Sequence, residues 1–243
     1  MNYTTSISKL QDEEHIIRGE TLSDLTANAS FSDAVFLLLG KRMPDEQESK
    51  IFNAILVSCC DHGMGVASSQ AARFVASTGN DLNTAAAAGI LALGKYHGGA
   101  ISAAMQQFQC VAAGNDDAAA SFVKESLAKK QVIFGYGHKV HKDADPRVTQ
   151  INDMCKEHGY ESKFIDLAFA IEQELEQQKG KKIILNIDGF IAAILCEMGF
   201  STKAGNGVFY VARLPSLVAN AVEEQENEKP VRRVDEKEIT YKE

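Results

Sequence analysis

Two segments, 66–78 and 83–93, are rich in alanine, serine and glycine. Side chains this small let helix axes approach closely, so the pair is expected in a buried centre or at a subunit interface. Helix signals dominate elsewhere too. Thr21 with Asp24, and Ser30 with Asp33, have capping-box spacing. The second box leads into an apolar run from Ala34 to Leu39 that is expected to stop at Gly40. After Pro44, Ile51, Phe52, Ile55, Leu56 and Cys59 fall on one helical face, and Asp61-His62-Gly63 closes that helix. Further helices are expected over 100–112, 117–129, 146–158, 163–178 and 190–199. Only 131–134 and 182–185 read as extended, and the tail from Glu223 is charged with little periodicity. The expected class is all-α.

The chain has 243 residues, enough for one large or two modest domains with real cores. Its formal net charge of −8 disfavours bulk binding to nucleic acid, so any phosphate site must be a local cluster. No apolar run reaches the ~20 residues that span a bilayer, and residues 1–14 lack the marks of a secretion signal. Cys59, Cys60, Cys110, Cys155 and Cys196 are odd in number and show no Cys-x-x-Cys spacing. That pattern fits buried small apolar residues in a reducing compartment, and a cytoplasmic location is expected.

The stretch Gly135-Tyr136-Gly137-His138-Lys139-Val140-His141-Lys142-Asp143-Ala144-Asp145-Pro146-Arg147 carries the most chemistry. Its glycines let backbone N–H groups approach a ligand, His138 can move a proton near neutral pH, and Arg147 can grip a carboxylate through two parallel bonds. Together they suit an anionic substrate that is both held and chemically handled. His138-x-x-His141 has a metal-binding spacing, but no further convincing ligands lie near it in sequence, and no metal is expected. Two other stretches stand out: Tyr96-His97-Gly98-Gly99-Ala100 and Leu185-Asn186-Ile187-Asp188-Gly189. His97 reads either as a local helix-start histidine or as a neutral donor to a carbonyl oxygen. Asp188 reads either as an N-cap or as a partly desolvated carboxylate base, with Asn186 available for local hydrogen bonds.

The order His-Gly-Gly-Ala, then Gly-Tyr-Gly-His with Asp-Pro-Arg, then Asn-hydrophobic-Asp resembles the citrate synthase superfamily, which includes citryl-CoA lyases and the C-terminal module of ATP-citrate lyase. The resemblance runs from Ile17-Arg18-Gly19 to the helix holding Arg213. It implies two helical domains with the active site in the cleft between them, 1–96 with 200–243 forming a discontinuous large domain and 97–199 the small one. It also implies that His97, His138 and Asp188 are catalytic: His97 steadies the enolate of the acetyl thioester, Asp188 moves the proton at its methyl carbon, and His138 takes the hydroxyl proton in the cleaving direction.

Citrate is a trianion, and the resemblance places Arg147, Arg213 and His62 on its carboxylates. Many citrate synthases have an arginine just before a proline near the C-terminus, reaching a partner subunit's site; this chain has Lys229-Pro230 there, with Arg232 and Arg233 following, so these three are further candidates. Coenzyme A would be met by Ile133, Gly135, Tyr136, Gly137, Lys139, Lys142, Lys181 and Asn186. The expected activity is citryl-CoA lyase, cleaving citryl-CoA to acetyl-CoA and oxaloacetate, with coenzyme A entering only as a substrate or product thioester. The alternatives are citrate synthase and a non-catalytic ligand-binding or assembly protein of the same fold. The resemblance further implies a homodimer or higher homo-oligomer. A separate citryl-CoA-forming enzyme would be the supplier, because no nucleotide-binding motif accompanies the site.

Overall fold

The structure, a computed structural model, describes residues 2–114 and 117–242. In chain order its elements are β1 (Ser8–Gln11), β2 (Glu14–Ile17), β3 (Glu20–Thr21), α1 (Leu22–Asn28), α2 (Phe31–Gly40), α3 (Glu46–Cys59), α4 (Ala67–Ser77), α5 (Leu82–Leu91), α6 (Ile101–Ala112), α7 (Ala118–Ala128), α8 (Pro146–Glu157), α9 (Lys163–Lys179), α10 (Ile187–Glu197) and α11 (Gly205–Asn227). They group into two compact units, Met1–Ser58 with Ala100–Val208, and Cys59–Gly99 with Phe209–Glu243. This grouping follows packing; the division expected from the resemblance, at 96/97 and 199/200, stays a proposal.

In the first unit, β1, β2 and β3 form a small antiparallel sheet that the sequence did not foreshadow. Ser30 starts α2 with a complete capping box: its hydroxyl accepts from the Asp33 N–H, and the Asp33 carboxylate accepts from the Ser30 N–H. Thr21 accepts from the Asp24 N–H, while the Asp24 carboxylate accepts from Asn28 instead of returning to the cap. The helix runs through Gly40, not up to it, and Lys41 closes it in the left-handed region at φ 70°. Phe36, Phe52 and Phe200 meet with ring centroids 4.9–5.6 Å apart, packing α2 against α3.

Helices α6, α9 and α10 pack together as the centre of this unit's core, with α7 and α8 adding Val123, Val148, Ile151 and Cys155. From Phe190 to Leu195 every residue of α10 is buried, so this helix is apolar all round and central. Each large side chain so buried stabilises by roughly 1.5–3 kcal/mol. Helix α10 begins at Ile187, three residues before the expected start, because Asn186 is its cap: the Asn186 side-chain oxygen accepts from the Gly189 N–H at 3.1 Å. The extended stretches 131–134 and 182–185 form no strand; a single bridge, Tyr136 to Leu185, is what remains of that expectation.

In the second unit the two small-residue segments pack together as α4 and α5. Ala72, Ala76 and Ala85 are fully buried, and Ala221 of α11 joins Ala76 and Ala85 in one cluster. A Cβ added at Gly89 would stand 2.9 Å from the Leu217 methyl groups and 3.1 Å from the Ser68 carbonyl, so only glycine allows this approach. Helix α11 continues four residues past Glu223, where a charged tail was expected. Buried charge explains why. The Glu224 carboxylate, with its side chain fully buried, accepts from Arg232 at 2.6 and 2.7 Å and from Arg73 at 3.2 Å. Arg73 also reaches Asn220 and Glu223.

Burial pushes the Glu224 carboxyl up, but the hydrogen bonds and charges of Arg232 and Arg73 outweigh it and leave the group below its ordinary value of 4.5. The unfolded chain therefore binds this proton more readily than the folded one, so the stabilisation is complete above about pH 4.5 and is lost as pH falls through the depressed value. Replacing Glu224 by Ala should cost about 3 kcal/mol, the low end for a broken buried pair because Glu223 still reaches Arg73. Urea melts across pH 3–7 measure this. An unchanged midpoint would show that the carboxylate does not hold the helix end.

Candidate active site

The first unit brings the Gly135–His138 turn and the start of α10 together. The Asn186 N–H donates to the Gly135 carbonyl at 2.9 Å, the Gly137 N–H donates to the Ile184 carbonyl at 2.7 Å, and the Asn186 amide donates to the Gly137 carbonyl at 2.8 Å. The turn lies directly on the helix start. A Cβ at Gly135 would come within 2.5 Å of the Gly189 Cα, and one at Gly189 within 2.5 Å of the Gly135 carbonyl oxygen. Gly135 also has φ +88°, where an L side chain is strained. Asp188 sits in the first turn of α10, where the positive end of the helix dipole favours a carboxylate.

His138 is oriented by its own loop. Its Nδ1 accepts from the Val140 N–H at 3.1 Å and the His141 N–H at 2.9 Å. With Nδ1 occupied by two donors, the neutral ring carries its proton on Nε2. The ring therefore presents a hydrogen-bond donor to a ligand. That opposes the expected role of accepting the hydroxyl proton, since an unprotonated Nε2 would require an N–H on Nδ1 facing two other N–H groups. The His141 ring stacks on it, centroids 4.6 Å apart at 28°. Burial lowers the His138 pKa below 6.5; nearby Asp145 opposes this, while His141, Arg147 and Lys142 add to it. Among the described residues no group of three or more His, Cys, Asp and Glu side chains converges as a metal site would.

Arg147 is gripped from within its own turn. Its Nε and Nη2 donate to the two carboxylate oxygens of Asp145 at 2.9 and 2.7 Å. Asp145 caps α8, accepting from the Arg147 N–H at 3.1 Å, and its second oxygen accepts from the Ile187 N–H at 3.1 Å.

The second unit holds the other predicted residues. His97 lies in a tight turn closed by paired bonds to Gly94 at 2.8 Å, and its Nε2 is 2.8 Å from the hydroxyl of fully buried Ser68. Arg213 is 1% exposed, with Nε donating to the Cys59 carbonyl at 2.9 Å and its guanidinium 5.0 Å from the Phe209 ring centre. His62 stands beside it: Nδ1 lies 3.2 Å from Arg213 Nη2 and 2.7 Å from the Asp61 carbonyl. One nitrogen cannot accept from the first and donate to the second at once, so the His62 tautomer selects between them. Asp61 accepts from the Ser216 hydroxyl at 2.6 Å and from the Gly63 N–H, bonds that hold its carboxyl below 3.8 against burial, with Arg213 adding its charge. This unit thus places a buried cation and an imidazole side by side, as a carboxylate-binding pair requires.

Residues 41–234 match the family model described as citrate synthase, C-terminal domain. The chain belongs to the citrate synthase family. A solved citryl-CoA lyase from Hydrogenobacter thermophilus is 42% identical, with a TM-score of 0.95 over 99% of this chain and 94% of that one. The citrate synthase of Heyndrickxia coagulans is 31% identical over 222 residues, covering 88% of this chain and 57% of that protein. An ATP citrate lyase from Methanothrix soehngenii, solved with citrate and coenzyme A, superposes at a TM-score of 0.88 over 100% of this chain and 42% of its own; at 23% identity it speaks to the fold alone. The chain spans about half the length of the curated citrate synthases it matches. The fold is the expected all-α, citrate synthase-like one.

Several residues expected at coenzyme A or citrate are engaged elsewhere. The Tyr136 hydroxyl donates to the Ala168 carbonyl, its ring meets Phe108 edge-on, and burial aided by Glu172 pushes the phenol well above 10. Lys142 folds back onto the His138 and Lys139 carbonyls. Asn186 is a helix cap, and Gly135 and Gly137 are turn residues. Arg232 is held by Glu224, which turns its guanidinium to structural use. Ile133 is half-buried, and Lys139, Lys181, Lys229 and Arg233 are exposed. The sequence reading missed Ser68, Asp61, Ser216 and the part played by Asp145. For Asp145 a signal was present: Asp followed by Pro is an N-cap followed by a first helical residue.

The His138 ring is expected to titrate below 6.5 with its neutral proton on Nε2. Nitrogen-15 NMR of the histidine side chains checks both. A neutral form protonated on Nδ1 would restore the base role first expected.

Proposed function

We propose that the protein is a citryl-CoA lyase, cleaving citryl-CoA to acetyl-CoA and oxaloacetate. The observation that carries this reading is the likeness to the Hydrogenobacter thermophilus citryl-CoA lyase, 42% identical across nearly the full length of both chains. The site residues fit the chemistry. Cleavage breaks the bond between the hydroxyl-bearing carbon and the thioester methylene; its electron pair becomes the enolate of acetyl-CoA, and the hydroxyl oxygen becomes the ketone of oxaloacetate. His97, steadied by Ser68, donates to the enolate oxygen. Asp188 delivers the proton to the new methyl carbon. His138 donates from Nε2 to the oxygen of the departing ketone. The hydroxyl proton passes to solvent, and Asp188 regains one from solvent, which closes the proton count. Arg147 and Arg213 with His62 hold substrate carboxylates. We infer further that a citryl-CoA-forming activity supplies the substrate and that the protein works as a homodimer or larger homo-oligomer.

The same groups can run the condensation, and the 31% identity to a citrate synthase makes that the second reading. A two-arm assay on the purified protein separates them. Citryl-CoA is supplied and oxaloacetate followed with malate dehydrogenase; in parallel, acetyl-CoA and oxaloacetate are supplied and free thiol followed. Fast oxaloacetate release with little free thiol is the expected result. Fast thiol release would make the protein a synthase, and silence in both arms would favour the non-catalytic reading. Asp188→Ala should lower kcat by about 10²–10⁴-fold with folding intact.

A further inference from the structure

We propose that Asp145 is a positioning residue that aims Arg147 at the substrate and references it to the start of α10. The inference rests on the lyase reading for its functional consequence, but its geometry stands apart from it. The Asp145 side chain is fully buried, and its carboxylate takes four hydrogen bonds: from the Arg147 N–H, Nε and Nη2, and from the Ile187 N–H. Three of the four come from one arginine. A helix cap needs only the first of them. The fork to Nε and Nη2 goes further, because a planar guanidinium gripped along one edge loses its freedom to rotate. The guanidinium would then meet a substrate carboxylate in an orientation set before the substrate arrives.

The bond from Ile187 supplies the reference. Ile187 immediately precedes Asp188, so a single carboxylate ties Arg147 to the first turn that carries the proposed proton donor. The chain closes around the same point: Asn186 caps α10 and holds the Gly137 carbonyl, next to His138. Arg147, His138 and Asp188 are thus spaced by one connected set of hydrogen bonds centred on Asp145. Desolvation alone would push a buried carboxyl up; the Arg147 hydrogen bonds and charge, with the Ile187 N–H, keep Asp145 below 3.8 and therefore ionised.

Two variants separate the clamp from the cap. Asp145→Asn keeps the shape but sets an NH₂ group against donors. Asp145→Ser keeps a capping oxygen for α8 and loses the fork. Each should lower kcat/KM for citryl-CoA by about 10–10²-fold, as expected when a binding group is misaimed by around an ångström. Most of the loss should lie in KM, following Arg147→Ala. In an Arg147→Ala background the same Asp145 changes should cost less than about twofold. An undiminished loss in that background, or an unchanged kcat/KM in the folded single variants, would overturn the proposal. The Arg147 Nε–H signal in nitrogen-15 NMR gives a readout free of catalysis. It should be protected from exchange in the unaltered protein and exposed in both variants. If the protein is silent toward citryl-CoA, the lyase reading falls while this signal still decides the inference: protection that persists in Asp145→Ser overturns it.

Discussion

The buried carboxylate of Asp145 is the interaction that joins the start of α8 to the start of α10 in the first unit. A charge out of water is costly unless every lone pair finds a donor, and here the donors are a guanidinium fork and two backbone N–H groups. Satisfying that demand requires α8 to start where it does, Arg147 to turn back on its own cap, and the first N–H of α10 to point inward. Electrostatic need and the geometry proposed for catalysis are therefore met by the same atoms.

The second unit solves a related problem with the opposite sign. Its two buried guanidiniums, Arg73 and Arg213, are neutralised in different ways. Arg73 faces Glu224, Glu223 and Asn220, a closed arrangement suited to structure. Arg213 donates to the Cys59 carbonyl, lies beside the His62 ring and the Phe209 face, and adds its charge to the forces that hold the Asp61 carboxyl down.

Most helices were legible because local signals set them: the Ser30 box, the Asp145-Pro146 start and the apolar face of α3. The N-terminal sheet was not. Its strands are four residues or shorter, β1 is exposed throughout, and its turn uses Asp12 and Glu13 at φ 49° and 68° instead of the glycine or asparagine that announces such turns. Within the site, the residue types followed from the motifs, but their partners did not. Ser68 lies 29 positions from His97, and the Glu224 that claims Arg232 sits inside a run of glutamates that reads as a charged tail. The donor sense of His138 depended on two backbone N–H groups, which no side-chain pattern encodes.

The contact between Gly135 and Gly189 bears on how this sequence can drift. Most tight contacts are forgiving over generations, because enlarging one side chain can be offset by trimming its neighbour. Here both partners are already at the minimum, and the obstacle each would meet is the other's main chain. No second substitution can make room. The pair ties two stretches more than fifty positions apart into one unit: a side chain at either point would have to displace main chain, so the turn and the helix start can shift only together.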